Sequence, residues 1–274
     1  MKDFKEIDNF IKAVENTIKK PRKVKGNEEL FVGVDLGTAY IVIVVLDKDR
    51  NPVACEMEFA QVVRDGLVVD FIGATNIVRK LKKKIEEKLG VELTKAAIAV
   101  PPGTGERDIG THKYVVEGSG MEVTSVLDEP TAANAVLKVE NGVVVDVGGG
   151  TTGLSIFKDG EVIYTADEAT GGTQLSLVVA GAYKIPFEEA EERKKDKKYY
   201  NEVFPIVTPV VQKVARIIKD HIGDFDVDTI YLVGGTCCLK DFEKIIQKET
   251  GITTVKPSNP FLVTPLGIAI NCCE

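Results

Sequence analysis

The chain has 274 residues, with 42 acidic and 35 basic side chains and a net charge of −7 at neutral pH. That length buries a substantial core in one or two domains, and the acidic balance excludes the basic footprint of a nucleic-acid binder. No apolar run reaches the ~18 residues of a membrane span and no secretory h-region opens the chain, so a cytoplasmic protein is expected.

Residues 3 to 18 predict a helix of their own. Phe4, Ile7, Ile11, Val14 and Ile18 recur at three- and four-residue spacing as a narrow apolar seam, and Lys2, Asp3, Lys5, Glu6 and Asp8 lie opposite. The basic linker KKPRKVKGNEE (19–29) follows, broken by Pro21 and Gly26. The seam either packs on the protein's own surface or docks helix-in-groove on a partner, as a detachable tag.

Strands are predicted over 30–34, 39–46 and 52–59, with the turn DKDRNP between the last two. VVRDGLVVDF (62–71) reads as a loop and short strand. Residues 73–89 form an amphipathic helix whose basic run RKLKKK is a solvated face. KAAIAVPPG (95–103) is a buried strand ended by two prolines, followed by a helix over 106–118 and a strand over 122–127. LDEPTAANAV (127–136) opens a helix at Pro130.

The second half repeats the opening trio with strands at 142–147, 153–158 and 161–167. Helices near 174–183, 187–197 and 203–221, a strand at 229–233 and a helix at 239–249 follow, and TPLGIAI (264–270) forms a small-residue helix. EEAEERKKDKK (188–198) reads as an exposed helix of intralobe pairs rather than a partner site. The duplication implies two related α/β lobes, each a mixed sheet with helices, around a cleft. Cys55, Cys237, Cys238, Cys272 and Cys273 form no C-x-x-C pair and are odd in number, which suits reduced, packed thiols.

Two glycine-rich stretches carry the chemistry. FVGVDLGTAYIVIVV (31–45) and GVVVDVGGGTTGLSI (142–156) each run from an apolar strand ending in Asp, through a Gly/Thr turn, into a second apolar strand. Glycine lets such a turn approach a ligand closely, and its successive N–H groups form an anion-binding concavity. Gly37, Thr38 and Ala39 in the first turn, and Gly148, Gly149, Gly150 and Thr151 in the second, are candidates to cradle a nucleotide's phosphates from both sides. Asp35 and Asp146 sit at the strand ends, where carboxylates hold the water shell of a divalent ion; Mg²⁺ keeps several of its waters.

These stretches stand in order with LDEPTAANAV, YLVGGTCCLKDFEKII (231–246) and TPLGIAI. The order resembles the phosphate-1, connect-1, phosphate-2, adenosine and connect-2 motifs of the actin/DnaK/sugar-kinase ATPase superfamily. That resemblance implies an α/β fold of two duplicated actin-like ATPase lobes, each a mixed β-sheet with helices, enclosing a nucleotide cleft. It divides the chain into a helix and linker (1–28), lobe I (29–141, completed by 264–274) and lobe II (142–263). ATP or ADP with Mg²⁺ is the implied cofactor. Glu129 would align the attacking water, Gly234, Gly235 and Thr236 would seat the adenosine, and Gly171, Gly172 and Thr173 of TGGT would lie near the γ-phosphate and ribose.

Within the superfamily, VVRDGLVVDFIGA and ADEATGGT, together with DLGTAY, PPGT, LVGGT and FLVTPLGIAI, look like the EutJ family of ethanolamine-utilisation proteins along nearly the whole body. That likeness implies a chaperone-like protein working with a microcompartment enzyme or shell protein, met through a lobe surface or residues 1–18. Two departures point to slow turnover or none. DnaK-type chaperones carry an acid, and MreB a Glu, two residues after the Thr of the second phosphate loop; here Gly153 stands there. DnaK's catalytic lysine lies in a subdomain this chain largely lacks, and losing such groups costs orders of magnitude in rate. The competing readings are an MreB- or FtsA-like assembly protein that binds ATP without significant turnover, and an iron–sulfur ATPase activator. No Cys between Cys55 and Cys237 is available for the activator's cluster.

Overall fold

The computed structural model describes residues 4–26 and 28–272. Helix α1 (Lys5–Lys19) precedes strands β1 (Leu30–Leu36), β2 (Tyr40–Asp47) and β3 (Pro52–Phe59) and the small hairpin β4 (Val63–Arg64) and β5 (Leu67–Val68). Helix α2 (Phe71–Leu89), β6 (Lys95–Val100), α3 (Glu106–Glu117), β7 (Glu122–Asp128) and α4 (Glu129–Leu137) complete the first half. The second runs β8 (Gly142–Val147), β9 (Thr152–Lys158), β10 (Glu161–Glu168), α5 (Gly172–Tyr183), α6 (Phe187–Lys195), α7 (Tyr200–Ile222), β11 (Thr229–Val233), α8 (Phe242–Thr250), β12 (Thr253–Val255) and α9 (Val263–Ile270).

The first sheet is ordered β3-β2-β1-β6-β7 and the second β10-β9-β8-β11-β12. In each, three antiparallel strands are joined by two parallel ones through helical crossovers. The repeated pattern of the sequence is therefore a repeated topology. The three-residue β12 falls outside the expected strands because it is too short to show a periodicity.

Side chains alternate across a strand, and the alternation sorts the core into layers. On β2, Ile41, Ile43 and Val45 pack with α2 and α3, while Val42, Val44 and Leu46 turn inward. On β8, Val143, Val145 and Val147 join the core beneath α5, α7 and α8, while Val144 turns inward. The inner layer is shared by both sheets with α1, α4 and α9. The same parity puts Asp35, in step with Phe31, on the inner face of β1, and Asp146, in step with Val144, on the inner face of β8.

Helices α4 and α9 cross in this layer with almost no side chain between them. A Cβ on Gly267 of α9 would overlap the Ala132 carbonyl of α4, and one on Gly33 of β1 would meet the Pro265 carbonyl of α9 at 2.8 Å. The absent side chains set how closely α9 lies on β1 and α4.

The α1 seam packs on the body. Ile11 and Val14 are completely buried, and Phe4, Ile7, Phe10 and Ile18 pack beside them in a layer that includes β3 and α9. Asp8 accepts the Ser258 N–H at 2.7 Å, Glu15 accepts Asn259 Nδ2 at 2.5 Å, and the Phe4 ring lies 6.4 Å from that of Tyr231 on β11. Of the two readings of residues 3–18, the strut is the one realised: the seam offered to a partner is occupied by the protein itself, and residues 1–3 lie outside the described residues. Among the described residues no helix is long and apolar enough to cross a membrane. Cys55, Cys237 and Cys272 are buried and Cys238 is exposed; Cys273 lies outside the described residues.

Truncating a buried Ile to Ala removes transfer energy and leaves a cavity. Ile11→Ala should therefore destabilise the protein by ~2–4 kcal/mol, read as a lower urea midpoint at unchanged slope. A loss within ~0.5 kcal/mol, the scale of a surface substitution, would show that α1 is not a strut.

Candidate functional site

A cleft of about 1380 Å³ opens between the two sheets, larger than the ~300–1,000 Å³ of ordinary small-molecule pockets. Asp35 from β1, Asp146 from β8 and Glu129 from the start of α4 line it. Capping explains the freedom of Glu129. Asp128 is the N-cap of α4, accepting Thr131 N–H at 2.9 Å and Ser155 Oγ at 3.3 Å. With the helix start satisfied by its neighbour, Glu129 is left to face the cleft. Asp146 accepts the Thr264 hydroxyl of α9 at 2.5 Å.

The two glycine turns face each other. A Cβ on Gly149 would lie 3.2 Å from the Thr38 Cβ and 3.3 Å from that of Ala39; one on Gly150 would meet Thr38 Oγ1 at 2.7 Å and Asp65 N at 2.8 Å. Among the described residues, the amides of Gly37, Thr38, Gly149 and Gly150 donate to no backbone carbonyl, which leaves them as donors for an anion.

The TGGT segment braces the second turn from behind. Gly172 N–H donates to the Gly148 carbonyl at 3.0 Å, Thr173 N–H to that of Gly149 at 2.8 Å, and the Thr236 hydroxyl to that of Gly148 at 2.7 Å. Gly172, Thr173, Gly234, Gly235 and Thr236 still line the cleft, as do residues 37–39 and 148–151. Gly171 does not. Its N–H is taken by Gln174 Oε1 at 2.8 Å, and a Cβ there would meet the Gly148 carbonyl at 2.7 Å. It packs directly behind the turn, against the Gly148 and Gly149 backbone.

Residues 109–270 match the family described as type IV pilus assembly protein PilM. The ethanolamine utilization protein EutJ of Salmonella typhimurium is 44% identical over 241 residues, 88% of this chain and 85% of that relative. The crystal structure of ethanolamine utilization protein EutJ from Carboxydothermus hydrogenoformans aligns with a TM-score of 0.91 at 45% identity, over 98% of this chain and 99% of that one. The chain belongs to the EutJ family. MreB5 of Spiroplasma citri bound to ADP, 15% identical, aligns at a TM-score of 0.70 over 88% of this chain and 95% of that one. This EutJ-family chain thus has the actin-like ATPase fold.

The cleft of this EutJ-family chain crowds like charges. Burial, then repulsion from Asp146, raises the Asp35 pKa to about 7. Burial raises Asp146 to about 6 against the Thr264 hydrogen bond. Glu129 is pushed well above the carboxylate range by burial and by Asp146, Asp35, Asp167 and Asp128. Among the described residues, no lysine or arginine is among the main groups shifting these three carboxylates.

Sequence reasoning missed several cleft residues. The helix expected to be wholly exposed, α6, turns Glu191 and Lys194 into the cleft wall. Lys194 Nζ donates to the Gly172 carbonyl at 3.0 Å, Ser176 Oγ at 2.8 Å and Glu191 Oε2 at 2.7 Å. Burial lowers the Lys194 pKa despite Glu191. Burial pushes Glu191 up, but Lys194 and the Ser176 hydroxyl outweigh it and hold the carboxyl below its usual range. Little apolar surface marks the buried side of α6, so periodicity could not reveal it; the Glu-x-x-Lys spacing was the available signal. Lys195 reaches across the cleft to the Tyr40 hydroxyl at 3.3 Å. His112 of α3 also lines the cleft, its Nδ1 donating to the Asp108 carbonyl at 2.9 Å and its pKa lowered by burial. That leaves Nε2 as the acceptor of a neutral ring.

The raised Asp35 pKa fixes the sign of a pH dependence. Between the unfolded value near ~3.9 and about 7, the native state holds a proton that the unfolded state has released. The unliganded fold therefore loses stability as pH rises through that window. Asp35→Asn should stabilise the unliganded protein by nearly nothing at acid pH, growing to ~2 kcal/mol or more above neutrality. Melting temperatures of both proteins across this range check it; a gap independent of pH would contradict the assignment.

Proposed function

We propose that this EutJ-family chain binds ATP or ADP with Mg²⁺ in the cleft, turns ATP over slowly, and couples the nucleotide to a chaperone-like task in ethanolamine utilisation. The observation that carries the reading is the opposition of two glycine turns with free amides above buried carboxylates that have no counter-cation. Free amides suit an anion and crowded carboxylates suit a cation. A magnesium nucleotide satisfies both.

Among the described residues no three His, Cys, Asp or Glu groups converge to hold a metal ion directly. Mg²⁺ is bound through waters and phosphate oxygens rather than by an all-protein cage. Asp35 and Asp146 would hold the hydrated ion from the two sheets. The ion, when bound, neutralises phosphate charge and polarises the phosphoryl group.

Residues 37–39 and 149–151 would donate amides and hydroxyls to the phosphates, while the Gly148 N–H is held by the Thr151 carbonyl at 3.0 Å, and Glu129 would accept a proton from the attacking water and orient it. Gly234, Gly235 and Thr236 would carry the adenosine, with Glu191 and Lys194 beside that turn for its sugar. Residues 29–141 with 264–274, and residues 142–263, would form the two lobes on either side of the cleft. A microcompartment enzyme or shell protein would meet a lobe surface rather than the α1 seam. The exposed Leu67, Val69, Phe71 and Ile72 support this, since the seam is buried.

A ligand at ~100 times its Kd stabilises a fold by ~2.7 kcal/mol. Magnesium ADP, or a non-hydrolysable ATP analogue, should therefore raise the melting temperature by several degrees; no shift refutes the reading. Glu129→Gln should keep that shift and lose phosphate release. Release at the parent rate would remove Glu129 from the water-orienting role.

A further inference from the structure

The small hairpin of β4 and β5 is wedged against the second glycine turn. Asp65 and Gly66 take positive φ angles of 48° and 75°, the backbone of a two-residue hairpin turn that Asp-Gly adopts readily. The Val62 carbonyl accepts the Val69 and Asp70 N–H groups at 2.9 and 3.2 Å and closes the base of the hairpin. At the tip, a Cβ on Gly66 would meet Pro101 Cγ at 2.6 Å, and one on Gly150 would meet Asp65 N at 2.8 Å. The hairpin is thus held at its base and its tip, and the tip abuts a turn whose amides face the cleft.

Arg64 stands one residue before that contact. Val63 beside it is buried in the core under α2 and α3, so the alternation of a strand turns Arg64 to the opposite, open face. Arg64 pairs there with Leu67 and both are exposed; of the two, Arg64 lines the cleft. Among the described residues it makes no hydrogen bond, ion pair or ring contact. Lys194, Lys195, Lys197 and Lys240 also line the cleft, but they come from the second half, on α6 or close to it and to the turn at Gly234–Thr236. Glu191 already holds Lys194 at 2.7 Å and Lys195 at 3.4 Å. Among the described residues, Arg64 is therefore the one cation that the first half contributes to the cleft lining.

Resting on the magnesium-nucleotide reading, we infer that Arg64 binds the terminal phosphate of a nucleoside triphosphate and makes the cleft prefer ATP to ADP. With the adenosine at Gly234–Thr236 and the inner phosphates between the two glycine turns, the polyphosphate points toward the hairpin and away from the four lysines. A guanidinium meets phosphate oxygens with two parallel N–H donors and stays charged throughout the working pH range. Exposed and unpaired, Arg64 gives up no partner to make those bonds. A diphosphate ends before it and leaves it in solvent. The rigid Asp65–Gly66 turn keeps the backbone of Arg64 beside Gly150, so the side chain alone moves to take the third phosphate.

The test uses the full chain with Mg²⁺, and calorimetry with ADP and with a non-hydrolysable ATP analogue. The preference is the affinity for the analogue divided by that for ADP. Arg64→Gln should lower it by ~10-fold or more, the scale of a charge-assisted hydrogen bond, and leave ADP binding unchanged. Arg64→Lys keeps a charge and should retain part of the preference. Both variants should melt with the parent when unliganded, since Arg64 is an exposed residue without partners. Lys197→Gln removes the same charge from the second half and should not alter the preference. A parent without preference for the analogue, an Arg64→Gln variant that keeps the preference or weakens both nucleotides equally, or an equal loss of preference in Lys197→Gln overturns the inference and leaves nucleotide binding standing. A parent that binds neither nucleotide overturns the nucleotide reading and this inference with it.

Discussion

Two missing side chains hold the structure in its working shape. Gly33 lets α9 press its backbone onto β1, and Gly267 lets the same helix press onto the Ala132 carbonyl of α4. Interiors are close-packed and transmit displacement rather than absorb it, so a methyl group at either position would have to move a whole helix. The consequence reaches the cleft. The first turn of α9 carries Thr264, whose hydroxyl donates to Asp146 of the second sheet. One eight-residue helix, seated on the first sheet by two glycines, therefore positions a carboxylate of the second.

The carboxylates so positioned are poorly matched to an empty cleft. Asp35, Asp146 and Glu129 are buried among one another, and their pKa values rise because solvent and counter-charge are both withheld. Such crowding costs stability in the unliganded protein and is characteristic of functional sites. A cation and its phosphates would offset the cost on binding, which ties occupancy of the cleft to the stability of the whole fold. The opposed turns sharpen the effect. Gly150 approaches Thr38 and Asp65 so closely that the two halves touch there, and any ligand between them is gripped from both sides.

The helix α1 adds a restraint on this arrangement. It lies on the inner layer and reaches elements of both sheets, through β3 and α9 on one side and Tyr231 on the other. A strut that contacts both halves near the α4–α9 crossing limits how far they separate. The cross-cleft contact of Lys195 with Tyr40 is exposed and contributes the small energy of a surface interaction.

Much of the fold was legible in the sequence because strand alternation, glycine turns and helix caps are local. The limits of β8 and β11 and the duplicated order of strands are marked by runs such as GVVVDV and TIYLV between turn residues. Asp35, Glu129, Asp146 and the two turns were legible as well, since each is marked by its own neighbours. Arrangements that depend on contacts between distant segments were not. The α1 seam announces that something covers it, without saying what; only the packed structure shows that the cover is the protein's own inner layer. Lys194 and Glu191 looked like solvated charge because a short charged helix shows no apolar stripe, and only the meeting of α6 with the TGGT loop buries them. Gly153 read as a missing carboxylate, because a linear motif registers only neighbours along the chain. Strand pairing then sets Asp167, fourteen positions later, opposite that glycine. Local chemistry determined the elements and most of the cleft; lateral register and helix crossing decided which charges meet there, because those distances are set by backbones that are far apart in sequence.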